Sequence, residues 1–262
     1  MKNTNGVLVQ SVDRALEILA LLGSSLEPET GITVLADRMG LNKSTVYGLV
    51  NTLVKREYVE QNPETKRYRL GIKLFEMGFL VQRRMDVRTE ARAFGQELSF
   101  RYDSTVHLAA FYAFEIVYID KVDSPDAIVQ YSQIGRRAPM YCTGVGKAIL
   151  ANLPEKDRET FFGKVSLHRF TKNTITKKEE LEREMDKIRK NGYAVDNEEI
   201  QPGLRCVAAP IFNHLGYPQA AISVSKHMNT LTEEMQKLIA KDIVCAAQQI
   251  SRRLGYNNNA GL

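Results

Sequence analysis

Gly144-Val145-Gly146-Lys147 stands at the entry to a helical pattern. A glycine turn there leaves backbone amides free at the positive end of a helix dipole. Such a turn either seats a carboxylate or another small anion, or is a plain structural entry to the helix. It is not a Walker phosphate loop, which needs Gly at position 141 and Ser or Thr at 148, where this chain carries Tyr141 and Ala148. Asp196 opens the run Asp196-Asn197-Glu198-Glu199, which on its own reads as a solvated acidic loop. Cys206 falls in an apolar strand pattern, where a core cysteine is the default. Ser223 and Ser225 alternate with Ile222 and Val224, so both hydroxyls leave one side of a strand. They face water, or they line a cavity together with the cysteine of a neighbouring strand.

A second set of residues has the chemistry of base reading. From Asn42 to Arg56 no acid occurs, and Val46, Leu49, Val50 and Leu53 repeat at the spacing of one buried helical stripe. The opposite stripe is Ser44, Gly48, Asn51 and Lys55, flanked by Thr45, Tyr47 and Thr52, with Lys43 at its leading end. Small and hydrogen-bonding groups suit a helix lying in the major groove, and the amide of Asn51 can read adenine through two bonds. Just beyond it, Lys66, Arg67 and Arg69 form a basic cluster that can follow a phosphate backbone or enter a minor groove.

These residues need elements to hold them. Residues 33–39 predict a short helix starting at the hydroxyl of Thr33, Gly40-Leu41 a turn, and Asn42 an N-cap for the next helix. Residues 58–61 and 66–70 then predict two strands around a turn, Asn62-Pro63-Glu64-Thr65. Helix, turn, helix and basic hairpin in that order describe a winged helix-turn-helix, completed by an earlier helix over 11–22 with Val12, Ala15, Leu16, Leu19 and Leu22 inward. Charge is distributed accordingly: residues 1–36 hold two Lys/Arg against four Asp/Glu, and residues 37–73 hold eight against four. The excess sits on the motif, so the net charge of +5 is more informative in its placement than in its size.

The rest of the chain predicts a second unit. A helix over 71–84 exposes Ile72, Phe75, Met77, Phe79 and Leu80 on a segment too short to own a core, and so needs a partner. A further helix begins at 86, followed by strands at 105–112, 115–122 and 127–134 joined by turns too short for crossover helices, hence antiparallel. Helices are predicted at 146–152, 155–162, 177–191 and 232–254, and strands at 206–212 and 219–225. The fold class is therefore α+β, with an antiparallel sheet and helices on its faces. The expected divisions are 1–71 for the DNA-binding domain, 72–85 for a linker and dimerisation helix, 86–256 for an effector domain and 257–262 for a polar tail.

Composition sets outer limits. At 262 residues, 44% apolar and 26% charged, the chain has enough core for two ordinary soluble domains. No run of eighteen apolar residues occurs and Met1-Lys2-Asn3-Thr4-Asn5 lacks a signal-peptide stretch, so the expectation is a cytoplasmic protein with no membrane association. Cys142, Cys206 and Cys245 are far apart and the four histidines lack ligand spacing, so neither a metal site nor a cofactor is expected.

Several motifs in order resemble one family: Gly135-Arg136-Arg137-Ala138-Pro139, Thr143 to Ala148, Asp196-Asn197-Glu198-Glu199, Gly203-Leu204-Arg205-Cys206-Val207-Ala208-Ala209-Pro210 and Ala221-Ile222-Ser223-Val224-Ser225. Together they resemble the IclR family of bacterial transcriptional regulators from the first helix to Leu254-Gly255-Tyr256. The resemblance implies a winged helix-turn-helix, a dimerising linker helix and a GAF-like effector domain, assembled as a homodimer or a dimer of dimers. It further implies a small carboxylate held at Gly144, Val145, Asp196, Cys206, Ser223 and Ser225. Val145 departs from the small residue often found at its place. Tyr131-Ser132-Gln133-Ile134-Gly135-Arg136-Arg137 and Met140-Tyr141 are most similar to the branch that responds to 2-keto-3-deoxygluconate and controls sugar-acid catabolism.

The expected function is a ligand-responsive regulator of a carbohydrate or sugar-acid operon, a repressor that binds operator DNA and carries no catalytic residues. Two other classes use the same residues. A thiol redox sensor would work through Cys142 and Cys206, and a cysteine enzyme would need a base that neither His107 nor His214 announces.

Overall fold

The computed structural model describes residues 8–82, 86–123 and 133–257. The chain divides into two compact units, Met1–Arg84 and Met85–Leu262.

The first unit is built from α1 (Gln10–Gly23), α2 (Ile32–Met39), α3 (Lys43–Lys55), the hairpin β1 (Val59–Gln61) and β2 (Tyr68–Leu70), and α4 (Ile72–Gln82). Its core is Ile18, Leu22, Leu35, Ala36, Val46, Val50, Val59 and Tyr68. The inward face of α1 is rotated from the expected one. Ile18 and Leu22 are buried with Leu19 packed beside them, as expected for Leu19 and Leu22, whereas Val12 and Leu16 are 55% and 60% exposed, Leu16 pointing about 160° away from Ile18 around the helix. α2 starts at Ile32 behind Gly31, and neither Thr33 nor Asn42 caps a helix with its side chain. Gly40 ends α2 in the left-handed region at φ 62°, and Leu41 N donates to Ala36 O at 3.0 Å, the closure that a glycine C′ residue permits.

The wing is shorter than its sequence suggests. Lys66 adopts φ 59° and the return strand begins at Tyr68, so Lys66 and Arg67 belong to the turn rather than to the strand. Tyr68 also exchanges two backbone bonds with Thr30, at 2.8 and 2.9 Å, which ties the hairpin to the chain ahead of α2.

The second unit contains α5 (Asp86–Tyr102), β3 (Thr105–Tyr112), β4 (Glu115–Val122), β5 (Arg137–Pro139), α6 (Gly144–Asn152), α7 (Glu155–Lys164), α8 (Lys178–Asn191), β6 (Ala194–Asn197), β7 (Leu204–Phe212), β8 (Pro218–His227) and α9 (Glu233–Arg253). The six strands pair antiparallel in the order β5-β4-β3-β8-β7-β6. One face carries α6, α7 and α8 over a core that includes Met140, Ile149, Phe161, Leu181 and Ala208. The other carries α5 and α9 over Leu98, Val207, Ala209, Ile243 and Ile250. Burial on both faces is why β7 reads as an almost unbroken apolar run.

Two strand expectations change. Residues 127–132 of the expected third strand lie outside the described residues, and its last residue, Ile134, sits in a turn and is 58% exposed. The strand beside β4 is instead Arg137–Pro139, after Gly135 turns the chain at φ 87°. The acidic run at 196–199 is not a solvated loop: Asp196 and Asn197 close β6, paired with Cys206 and Arg205. α6 also starts at Gly144, two residues before the expected 146, because the glycines that discourage a helix in sequence are its first turn.

Candidate functional site

The register of the second sheet assembles a cavity from distant segments. One rung runs Asp196, Cys206, Ser225 and Thr105, and the adjacent same-face rung runs Ala194, Ala208, Ser223 and His107. The N-terminus of α6 sits above these rungs: a β-carbon on Gly144 would meet Cys206 Cβ and Ala208 Cβ at 3.4 Å and Asp196 Cβ at 3.6 Å. Gly144, Val145, Asp196, Cys206, Ser223 and Ser225 therefore line one cavity, with His107, Tyr118, Thr143, Ile200 and Leu204 as its remaining walls. Its volume is about 20 Å³, where a water centre needs about 10–15 Å³. The cavity has room for roughly one water.

Helix entry above the cavity is rigidly built. Thr143 Oγ1 accepts from Gly146 N at 3.1 Å and donates to Pro139 O at 2.9 Å, and Lys147 N donates to Thr143 O at 2.8 Å. The amides of Gly144 and Val145 precede the first intrahelical donor, Lys147 N, and carry the positive end of the α6 dipole. A side chain at Gly146 would force the 140–143 turn to shift, since a β-carbon would lie 2.4 Å from Met140 Cα and O.

The cavity is polar on one side and neutral in charge where it can be. Asp196 is 1% exposed, and burial pushes its carboxyl up to about 7, helped by the nearby Glu199 carboxylate and opposed by the Glu199 N–H bond to Asp196 Oδ1 at 2.8 Å and by Lys147. Burial pulls His107 down to about 4, which leaves its imidazole neutral near neutral pH. Its Nδ1 lies 3.1 Å from Ser225 Oγ, which in turn donates to Cys206 Sγ at 3.1 Å. Burial also drives both the Cys206 and the Cys142 thiol far above the ordinary cysteine range, so neither supplies a thiolate. Among the described residues no cluster of three His, Cys, Asp or Glu could hold a metal ion, and no helix is long and apolar enough to cross a membrane.

On the first unit, α3 turns Val46 and Val50 fully inward and leaves Lys43, Ser44, Thr45, Tyr47, Asn51 and Lys55 exposed. Lys66, Arg67 and Arg69 are exposed on the wing, Arg69 in a solvent-facing ion pair with Glu60 at 3.0 Å. The wing tip is clamped by a residue that sequence reasoning missed. Glu29 accepts from Asn62 Nδ2 at 2.6 Å and from Thr65 Oγ1 at 2.7 Å, and these bonds hold its carboxyl below the usual glutamate range.

Two family models match the chain: the IclR helix-turn-helix domain over residues 11–63, and the bacterial transcriptional regulator IclR C-terminal domain over residues 79–252. The chain belongs to the IclR family. Its relatives include the HTH-type transcriptional regulators XynR and KdgR of Escherichia coli K12, each 38% identical, over 249 and 250 residues. The alignments cover 95% of this chain and 98% and 94% of those proteins. The crystal structure of the Thermotoga maritima IclR protein superposes with a TM-score of 0.81 at 37% identity, over 95% of this chain and 100% of that one. As an IclR family member the chain is a DNA-binding transcriptional regulator with a helix-turn-helix ahead of a sheet domain. The walls that sequence missed are Ile200 and, from β3 and β4, His107 and Tyr118; the pairing of β3 with β8, which sets His107 opposite Ser223, brings that side of the sheet into the cavity.

Proposed function

We propose that this regulator represses a carbohydrate or sugar-acid catabolic operon and is released from its operator by a small carboxylate seated in the cavity beneath α6. The observation that carries the reading is the convergence of two free helix-terminal amides, Asp196, Ser223 and Ser225 on one buried space. The amides take the carboxylate of the ligand, while Asp196 and the serines pair with its hydroxyl or keto oxygens. Because the cavity has room for only about one water, an acid of several carbons seats only by pushing the α6 turn and the 196–200 segment apart. That expansion is the difference between the two states on which ligand control depends.

On the DNA side, α3 reads base edges through Ser44, Thr45, Tyr47 and Asn51, while Lys43, Lys55, Lys66, Arg67 and Arg69 address phosphates. The working form is a homodimer or a dimer of dimers. This is supported by α4, where Ile72, Phe75, Met77, Phe79 and Leu80 are 45–72% exposed, an apolar surface that a second copy would cover. The protein acts in the cytoplasm, without catalysis. Redox control and cysteine catalysis are disfavoured by the burial that keeps Cys142 and Cys206 protonated.

Gel-shift titration separates the two halves of the proposal. Asn51→Ala is expected to weaken operator binding by about 1–3 kcal/mol while leaving random DNA nearly unaffected. Equal losses on both DNAs would refute base reading by Asn51. Asp196→Ala is expected to bind operator normally and to ignore 2-keto-3-deoxygluconate, and an undiminished response would remove the ligand from this cavity.

A further inference from the structure

Behind the cavity, and outside its lining, lies a buried ion pair that the ligand-binding residues do not explain. Lys147, on the first turn of α6, has a side chain only 1% exposed, and it donates to the Val195 carbonyl at 2.7 Å and to the Glu199 carboxylate. Glu184 of α8 approaches the same ammonium at 3.6 Å. The second carboxylate oxygen of Glu199, Oε2, is buried without a hydrogen-bond partner among the described residues. A buried ion pair with an orphaned oxygen is poor value as a stabilising device, since desolvation of the two charges offsets most of their attraction. Its placement gives it another use. Lys147 follows Gly144 by three residues and Val145 by two, while Val195 and Glu199 bracket Asp196 on the facing wall.

The facing segment is held at other points too. Thr171 Oγ1 donates to Glu198 O at 2.7 Å and Thr174 Oγ1 to Glu199 O at 2.6 Å, so the backbone of 198–199 is anchored from outside. The Asp196 carboxyl accepts from Glu199 N at 2.8 Å within this segment and lies in the field of Lys147 from the α6 side.

We infer that Lys147 and Glu199 are positioning residues: their ion pair is a strut that ties the carboxylate-binding turn of α6 to the segment carrying Asp196, and so fixes both the width and the charge of the effector cavity. The inference rests on the cavity being the effector site. The charged and titratable groups facing Asp196 are Lys147 of α6, Glu198 and Glu199 of its own segment, Cys142 ahead of α6 and Cys206 of β7. His107 of β3 lines the far side of the cavity, and Glu184 of α8 reaches Lys147. Within this group Lys147 is the cation, and it favours the charged form of Asp196, while Glu199 disfavours it. The strut therefore makes two opposite electrostatic contributions to one carboxyl, and they can be removed one at a time.

The test titrates the Asp196 side-chain carboxyl by carbon NMR in the full-length protein without ligand, alongside calorimetric binding of 2-keto-3-deoxygluconate. Lys147→Met is expected to raise the Asp196 midpoint by about one pH unit or more, and Glu199→Gln to lower it, since removing an opposite and a like charge act in opposite directions. Affinity for the sugar acid should fall at least about tenfold in Lys147→Met and recover in part in the uncharged pair Lys147→Met with Glu199→Gln. If Lys147→Met alone does not fold, Glu199→Gln and the double variant carry the same test. Variants that melt lower with an unmoved Asp196 midpoint would overturn the inference and reduce the pair to a structural role. The expected midpoint shifts in a protein that never binds the sugar acid would support the strut and count against the effector reading instead.

Discussion

The two glycines at the start of α6 should respond to the same substitution in opposite ways. At Gly146 a β-carbon would stand 2.4 Å from Met140 Cα and O and 2.5 Å from Thr143 Oγ1, about 1 Å short of ordinary contact. Relief requires the 140–143 turn to move away from α6, which breaks the Thr143 cap at 3.1 Å, an interaction worth about 1 kcal/mol. Strain of this kind costs about 1–3 kcal/mol, and the better helix propensity of Ala returns about 1 kcal/mol, so the net loss is about 2 kcal/mol. For a domain of this size that lowers the melting temperature by about 4–8 °C. At Gly144 the nearest atoms are 3.4 Å away, ordinary contact for a methyl group, so Gly144→Ala should fold within about 1 kcal/mol of the parent. Its methyl, however, faces Cys206, Ala208 and Asp196 across a cavity of about 20 Å³ and occupies the ligand's place. Thermal melts and operator gel shifts titrated with 2-keto-3-deoxygluconate read both effects. A Gly146→Ala protein melting with the parent, or a Gly144→Ala protein released at the parent's acid concentration, would refute the reasoning.

Other outcomes follow from the same geometry. Asp196 has its folded carboxyl raised by burial to about 7, so it binds its proton more tightly folded than unfolded; the stability this contributes is complete below pH about 3.8 and is lost as pH rises through about 7, which pH-dependent denaturant melts of Asp196→Asn against the parent would check. Glu29 is shifted the other way, so its grip on the wing is present above the ordinary glutamate range and is lost as pH falls through its lowered value. Glu29→Ala should accordingly raise amide exchange at 62–66 and weaken operator and random DNA alike, and a change confined to operator DNA would contradict a phosphate-facing wing. Lys66→Ala should reduce the salt dependence of DNA binding by about one counterion, read from affinity at several salt concentrations, and an unchanged slope would place Lys66 off the phosphates.

Much of the first unit was legible because its signals are local. Val46, Leu49, Val50 and Leu53 repeat within one helix, and Gly40 marks a stop that needs a left-handed residue. The inward face of α1 was not, because Val12, Leu16 and Leu19 make one apolar i, i+4, i+7 stripe and Ile18 with Leu22 makes another, and only packing against the other helices decides which is buried. In the second unit the two serines were read correctly as sharing a face, yet their partner His107 lies 116 residues before Ser223 and is fixed by strand pairing alone. Asp196 looked solvated because acids usually are; what buries it is a pairing with Cys206 and a lysine drawn from α6, neither written in its neighbourhood. Glu29 gave no signal at all, since the residues it clamps lie 33 and 36 positions away.

The order of strands also sets when the proposed effector cavity can form. β8, which supplies both serines, is inserted between β3 and β7 although it is the last strand made, so β3 waits with one edge unpaired until residue 227 has left the ribosome. The wing is finished by Leu70. At about 5–20 residues per second, the helix-turn-helix unit is complete on the order of ten seconds before the strand that carries both serines, and so before the proposed effector cavity can form.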